Sequence, residues 1–147
     1  MSMQHRPLGR GRTLAALAGL AIVVGCILPW WKVGGTSGIP AVDGNGLDGS
    51  GIVVFLCGIA TLALIALPYA AGDRPLGLDR WLAFALLAAV GWLAFVVRII
   101  ALIGNGAFQF SEPAQVLTNG PGLWVTGAGL VMLARAAYTM SRESIYR

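Results

Sequence analysis

An uncharged apolar run most constrains what this chain can fold into. The run extends from Leu14 to Trp31 and is followed directly by Lys32. Since about twenty helical residues, each rising about 1.5 Å, match the hydrocarbon core of a bilayer, this length is typical of a transmembrane helix. Two adjacent indoles followed by a lysine are typical of the level where hydrocarbon meets headgroups. The run therefore predicts a membrane helix whose end is marked by Trp30 and Trp31.

Three further apolar segments follow, and the composition agrees with a membrane protein. Of the 147 residues, 57% are hydrophobic and only 11% are charged. Because one small water-soluble core could not bury that much apolar surface, the excess is expected to face lipid. The sequence predicts an all-α integral membrane protein with four transmembrane helices, arranged as two antiparallel hairpins in one bundle.

The segment boundaries divide the chain into a membrane domain and two tails. We expect a basic cytoplasmic tail at 1–13, a transmembrane domain at 14–140 and a second cytoplasmic tail at 141–147. Within the domain, the predicted helices lie at about residues 14–31, 51–69, 80–103 and 121–140. The long loops at 32–50 and 104–120 are then expected outside, and Asp48 or Ser50 is expected to cap the second helix.

The distribution of basic residues predicts the orientation. Eight arginines lie on the side of the membrane that has both tails and the middle loop. The other side has Lys32, together with Arg98 if its side chain extends outward. Since basic residues stay on the cytoplasmic side, both termini are expected in the cytoplasm. Nine of the ten basic residues are arginine, which together with abundant alanine and glycine indicates a bacterial source, so we expect the bacterial plasma (inner) membrane. The basic residues form no dense patch, so we expect the lipid bilayer and membrane subunits as partners and no nucleic acid.

The ionisable residues indicate no reaction centre. All six acidic residues lie in predicted loops, caps or tails, and the single histidine, His5, lies in the first tail. Because intramembrane charges usually mark functional sites, this distribution predicts a protein that is not an enzyme and holds no cofactor or metal. The sequence Val23-Val24-Gly25-Cys26 resembles a lipoprotein lipobox, so lipidation of Cys26 stays open, as does a disulfide between Cys26 and Cys57.

Arg98 lies inside the third predicted helix, about five residues from its outer end. It shares a helical stripe with Gly91, and because small residues mark helix contacts, Arg98 is expected to face protein. Its guanidinium could reach Asp48, Glu112, a loop carbonyl or a lipid phosphate, and the alternative is simple extension to the membrane surface.

Small and aromatic residues supply the other candidates. The first helix has the small-xxx-small pairs Ala15/Gly19 and Ala21/Gly25, which permit close helix contact either within the bundle or with another protein. Trp124 lies at the entrance of the fourth helix. The candidate interface or structural residues are therefore Trp30, Trp31, Arg98, Asp48, Gly19, Gly25 and Trp124.

Several short motifs resemble those of a group of small four-helix bacterial membrane proteins of unassigned function. The motifs are Gly25-x-x-Leu28-Pro29-Trp30, a glycine-rich loop ending in Asp48-Gly49, the helix opening Ile52-Val53-Val54, and Gly120-x-Gly122-Leu123-Trp124. Those proteins often carry a zinc ribbon before the first helix, and this chain has no cysteine there. The resemblance implies the four-helix topology and implies no activity.

These observations predict a non-catalytic polytopic membrane protein that acts as a small accessory or structural subunit of a larger membrane complex, or associates with itself. The alternative is a component of a small-molecule or ion transporter or channel formed by oligomerisation, with Arg98 near its pore. A third hypothesis is an envelope sensor that uses the outer loop and the indoles.

Overall fold

The computed structural model describes residues 9–35, 38, 40–71, 80–108 and 118–145. Within these residues the protein has four long helices and one two-stranded antiparallel sheet. In chain order the elements are α1 (Arg10–Ile27), β1 (Pro29–Val33), β2 (Val42–Asn45), α2 (Gly51–Ala71), α3 (Arg80–Gly104) and α4 (Pro121–Ile145). All four helices are long and apolar enough to cross a membrane, which confirms the predicted number of candidate spans. His5, Glu112 and the predicted middle loop lie outside the described residues.

The first helix differs from the prediction at both ends, because it covers Arg10–Ile27 rather than residues 14–31. Pro29 explains the early end. Steric contact with the proline ring disfavours helical geometry in the preceding residue, and Leu28 has extended φ and ψ angles of −68° and 154°. Trp30 and Trp31 therefore lie on a strand, and the prediction that they mark a helix end is wrong.

The loop after α1 also differs from the turn-rich connector that the glycines indicate. Its two ends form the antiparallel strands β1 and β2, in which Trp31 lies opposite Gly44, Lys32 opposite Asp43, and Val33 opposite Val42. The register is irregular between Pro29 and Trp31, which leaves Trp30 without a partner residue in the pairing. We call the strand pair β1 and β2 the outer hairpin, because it lies at one end of the helix bundle.

The other helices begin close to their predicted starts and continue further. α2 continues to Ala71, with Pro68 inside its last turn rather than at its exit. α3 ends at Gly104, and α4 continues to Ile145, into the segment predicted as a tail. The end of an apolar segment therefore does not mark the end of a helix in this chain.

Each helix packs against two others, and the most extensive contact is between α1 and α4. Glycines bring these two backbones close together, since a Cβ atom added to Gly129 would lie 3.1 Å from the Ala18 carbonyl oxygen on α1. On the other side of α1, a Cβ atom added to Gly19 would lie 3.3 Å from the Gly58 carbonyl oxygen on α2. The small residues of α1 therefore make contacts within the bundle.

The interior of the described bundle is almost entirely apolar. Thr61 and Thr126 are the polar side chains buried in this part of the chain, and both have partners. The Thr61 hydroxyl donates to the Cys57 carbonyl oxygen at 2.8 Å, and the Thr126 hydroxyl lies 3.9 Å from the Cys26 sulfur. Cys26 and Cys57 are buried free thiols, so the disulfide considered from the sequence is not formed.

Candidate interaction site at the hairpin end of the bundle

Most of the candidate residues lie at one end of the bundle, where α1 and α3 end and α2 and α4 begin. We call this the hairpin end, because the outer hairpin covers it. The contacts of Gly46 with Trp30, of Gly49 with Arg98, and of Gly122 with Leu28 join its elements. The candidates found there are Gly25, Trp30, Trp31, Asp48, Arg98 and Trp124. Gly19 lies further from this end, in the middle of α1, where it contacts α2.

The Trp30 side chain fixes the outer hairpin to the bundle. It is completely buried, and its indole Nε1–H donates to the Gly25 carbonyl oxygen at 2.9 Å. In a continuous helix that carbonyl would accept from residue 29, but Pro29 has no N–H group to donate. The Trp30 indole therefore donates the hydrogen bond that Pro29 cannot give to the Gly25 carbonyl oxygen. Its edge also packs against Phe95 of α3, with ring centroids 5.4 Å apart at an angle of 75°.

A second hydrogen bond joins the hairpin to the end of α1. The Gly46 amide, directly after β2, donates to the Cys26 carbonyl oxygen at 2.8 Å. Gly46 also lies flat against the Trp30 ring, since a Cβ atom added to it would lie 2.6 Å from the indole carbon Cε2. The hairpin is thus held by two bonds to the last turn of α1 and by the packing of one indole.

One face of the hairpin is apolar, and its two valines are exposed. Side chains alternate between the two faces of a strand pair. Trp31 and Val33 of β1 therefore lie on the same face as Val42 of β2. Lys32 and Asp43 lie on the other face. Val33 is 39% exposed and Val42 is 56% exposed, and both lie beside the partly buried Trp31 ring. We call Trp31, Val33 and Val42 the valine face. The sequence did not predict it, because the strands themselves were missed.

Trp31 packs against β2, where Gly44 lies directly under its ring. The ring also packs against the buried core of the bundle, and its buried Nε1 atom has no hydrogen-bond partner among the residues that the structure describes. A buried donor without an acceptor costs about 1–3 kcal/mol. The ring is therefore held by packing, with its apolar surface contributing to the valine face.

Arg98 lies beside the start of α2. Its Nη1 atom would be 2.9 Å from a Cβ atom added to Gly49, while its Nε atom is buried without a hydrogen-bond partner. Among the residues that the structure describes, no acidic side chain forms an ion pair with Arg98, so Asp48, one of the four partners considered from the sequence, is not paired with it. Glu112, the other predicted acid, lies outside those residues. Arg98 therefore faces protein, as its helical stripe indicates, but without a partner charge.

The predicted side-chain cap of α2 is also not formed. The Ser50 hydroxyl donates across to the Ala94 carbonyl oxygen of α3 at 3.4 Å. Asp48 contributes its backbone carbonyl, which accepts from the Gly51 amide at 3.2 Å, and its side chain is exposed. Ser50 therefore connects two helices instead of ending one.

Trp124 lies in the first turn of α4 and is 49% exposed, in contrast to the buried Trp30. Its position agrees with the predicted entrance of the fourth helix. The two indoles thus differ in role, since Trp30 belongs to the core and Trp124 to the outer surface of the bundle.

In the described ranges, no three His, Cys, Asp or Glu side chains come together in a group that could hold a metal ion. The hairpin end has an apolar face with two exposed valines on an anchored strand pair, and Arg98 lies beside the start of α2. The expectations of no enzymatic activity and no cofactor stay predictions.

We compared the chain with known proteins at three levels. No family model, no curated protein and no solved structure matches it. The resemblance to small four-helix bacterial membrane proteins therefore stays a prediction.

Proposed function

We propose that this chain is a non-catalytic, multi-pass protein of the bacterial plasma membrane that acts as a small accessory or structural subunit of a larger membrane complex. In this proposal the four helices cross the bilayer as two antiparallel hairpins, α1 with α2 and α3 with α4. The valine face of the outer hairpin is the contact surface for the partner subunit. The firm anchoring of this exposed apolar face is the observation that carries the proposal.

The charges of the described residues support an orientation with both termini in the cytoplasm. The end of the bundle opposite the hairpin has five arginines, Arg10, Arg12, Arg80, Arg135 and Arg142. The hairpin end has Lys32 and Arg98. Since an excess of arginine and lysine marks the cytoplasmic side, the outer hairpin is proposed to face away from the cytoplasm.

Anchoring matters because a rigid surface loses little conformational entropy when it binds. Trp30, Gly25 and Gly46 hold the hairpin before any partner arrives, so the valine face is already in place. Exposed valines beside a tryptophan form the kind of apolar patch that marks interaction surfaces, and tryptophan is enriched among residues that dominate binding energy. The contact should therefore depend on Trp31 and Val42 more than on the charged face.

Site-specific crosslinking in native membranes tests this function. A photoreactive amino acid placed at Val42 should give a crosslinked adduct of defined mass, and the same residue at Asp43, on the opposite face, should give much less. The substitution Val42→Asp should then release the chain from the assembly on a native gel, while Asp43→Val leaves the assembly intact. An adduct with the mass of two copies of this chain supports self-association through the same face.

A result in which positions 42 and 43 crosslink equally, or in which Val42→Asp leaves the assembly unchanged, contradicts the proposal. Thermal melting in detergent serves as the folding control for both substitutions. Because Val42 is 56% exposed and makes little contact with the bundle, Val42→Asp should melt close to the unsubstituted protein.

The position of Arg98 favours a second candidate, a transporter or channel component formed by oligomerisation. A guanidinium with a buried Nε atom and no partner charge among the described residues could attract an anion once several copies surround a pore. Chloride flux into liposomes that is abolished by Arg98→Gln, but retained in Lys32→Gln, would favour this candidate over the accessory subunit. Equal flux in all three proteins counts against it.

A further inference from the structure

A groove lies between α3 and α4 at the end of the bundle opposite the hairpin. Its floor is formed by alanines, including Ala88 and Ala137, and its walls by the aromatic side chains of Trp81, Trp92 and Tyr138. We propose that this groove binds one acyl chain of an anionic phospholipid, with the phosphate of its headgroup held by arginines at the open end.

The shape of the groove fits a single hydrocarbon chain. From Trp81 to Trp92, eleven residues along α3, the groove is about 16 Å long at about 1.5 Å per helical residue. A volume of about 400 Å³ over about 16 Å gives a width on the order of 5 Å. An extended hydrocarbon chain can therefore lie along the groove, whereas an α-helix, about 10 Å across with its side chains, could insert only side chains into it.

The charges at the end of the groove fit an anionic headgroup. On α4, Arg135, Tyr138 and Arg142 share one helical face, and the Arg142 guanidinium lies 5.1 Å from the centre of the Tyr138 ring. On α3, Arg80 directly precedes Trp81, and all three arginines are exposed. Glu143 is the one acidic residue that the structure describes near them.

Guanidinium groups bind phosphate oxygens through paired hydrogen bonds, and basic pockets between membrane helices are typical sites for anionic headgroups. The end that carries these arginines is also the end proposed to be cytoplasmic. An apolar groove with a basic rim is thus complementary to a lipid that has both a hydrocarbon chain and a net negative headgroup. The same groove would bind a zwitterionic lipid less well, because its positive headgroup charge lies near the arginines.

Lipid titration of the full-length protein in detergent tests this site. Native mass spectrometry would count bound phosphatidylglycerol and, separately, phosphatidylcholine with the same acyl chains. We expect one phosphatidylglycerol to bind more tightly than any phosphatidylcholine. The substitution Ala89→Leu, at an exposed position that lines the groove, should weaken this binding at least tenfold, whereas Ala128→Leu, exposed on α4 outside the groove, should leave it unchanged.

The arginines are tested separately from the groove. Arg142→Gln should weaken phosphatidylglycerol binding about fivefold, which corresponds to about 1 kcal/mol per basic residue near an anionic surface, and should leave phosphatidylcholine binding unchanged. Arg10→Gln, exposed at the same end but on α1, serves as the control and should have no effect. If Ala89→Leu lowers the melting temperature, Ala134→Leu, on the α4 side of the groove, is used as the test variant instead.

Three outcomes overturn the inference. Equal binding of the two lipids would show that the arginines do not select the headgroup. Unchanged lipid binding after both Ala89→Leu and Ala134→Leu would show that the groove is not the binding site. If those substitutions instead release a crosslinked protein partner without affecting lipid binding, the occupant is a protein. The valine face and this groove lie at opposite ends of the bundle, so failure of one experiment is distinguishable from failure of the other.

Discussion

Substitution of Trp30 tests how the outer hairpin is fixed to the bundle. We expect Trp30→Phe to leave the Gly25 carbonyl oxygen buried without a donor, because phenylalanine fills part of the space but has no N–H group. An unsatisfied buried acceptor costs about 1–3 kcal/mol. Trp30→Ala removes in addition the packing against Phe95 and Gly46, and replacing a buried tryptophan by alanine typically costs about 3–5 kcal/mol.

These energies predict measurable changes in melting temperature. For proteins of roughly this size, a loss of 1 kcal/mol lowers the melting temperature by about 2–4 °C. Trp30→Phe should therefore melt about 2–12 °C lower and Trp30→Ala about 6–20 °C lower than the unsubstituted protein. Tyr69→Phe is the control, since Tyr69 is 68% exposed and its replacement should change stability by less than about 0.5 kcal/mol.

A thiol-reactive fluorophore provides the assay in detergent. Cys26 is 0% exposed and Cys57 is 4% exposed, so both thiols should react only when the bundle opens. This signal does not depend on tryptophan fluorescence, which the substitutions themselves alter. If Trp30→Phe melts like the unsubstituted protein, or Tyr69→Phe loses as much stability as Trp30→Phe, the hairpin is not held by the Trp30 indole and the reasoning is wrong.

Three further predictions concern the helix contacts, Arg98 and the thiols. Gly25→Ala should destabilise strongly, because its Cβ atom would lie 2.6 Å from a backbone nitrogen of α4, whereas Gly127→Ala, which would meet only ring atoms at 3.6 Å, should melt normally. Arg98→Leu should melt at the same temperature or higher, since it removes a buried, unpartnered Nε donor; a fall as large as that of Trp30→Phe would reveal a partner charge. Intact-mass analysis should show that an alkylating reagent modifies neither Cys26 nor Cys57 before denaturation and both afterwards, and mass on a thiol before treatment would reveal lipidation.

The four helices could be predicted because long apolar segments have few alternatives in a short chain. Their ends could not be predicted equally well, and the first helix shows why. Pro29 is a signal for a helix end, but an indole pair followed by Lys32 is equally typical of a membrane helix that reaches the headgroups. Both patterns occur in the same five residues, and the hydropathy of the run favoured the longer helix.

The outer hairpin could not be predicted from local propensity. Glycine is rare in strands, and Gly44 lies within β2 while Gly46 follows it directly. Their role becomes clear only when the two indoles are in place, since Gly44 lies under Trp31 and Gly46 lies against Trp30. The glycines that made this segment resemble a loop are therefore those that let a strand pair pack against two large rings.

The motif Gly25-x-x-Leu28-Pro29-Trp30 has a physical explanation that could have been derived from the sequence alone. A helix that reaches residue 25 needs an N–H donor from residue 29, and a proline there leaves the Gly25 carbonyl open. The neighbouring indole supplies the missing donor only if the chain turns back onto the last helical turn. Pro29 therefore ends α1 and at the same time creates the acceptor that positions Trp30, and through Trp30 the whole outer hairpin. The direction in which the valine face points is thus a consequence of one missing backbone hydrogen.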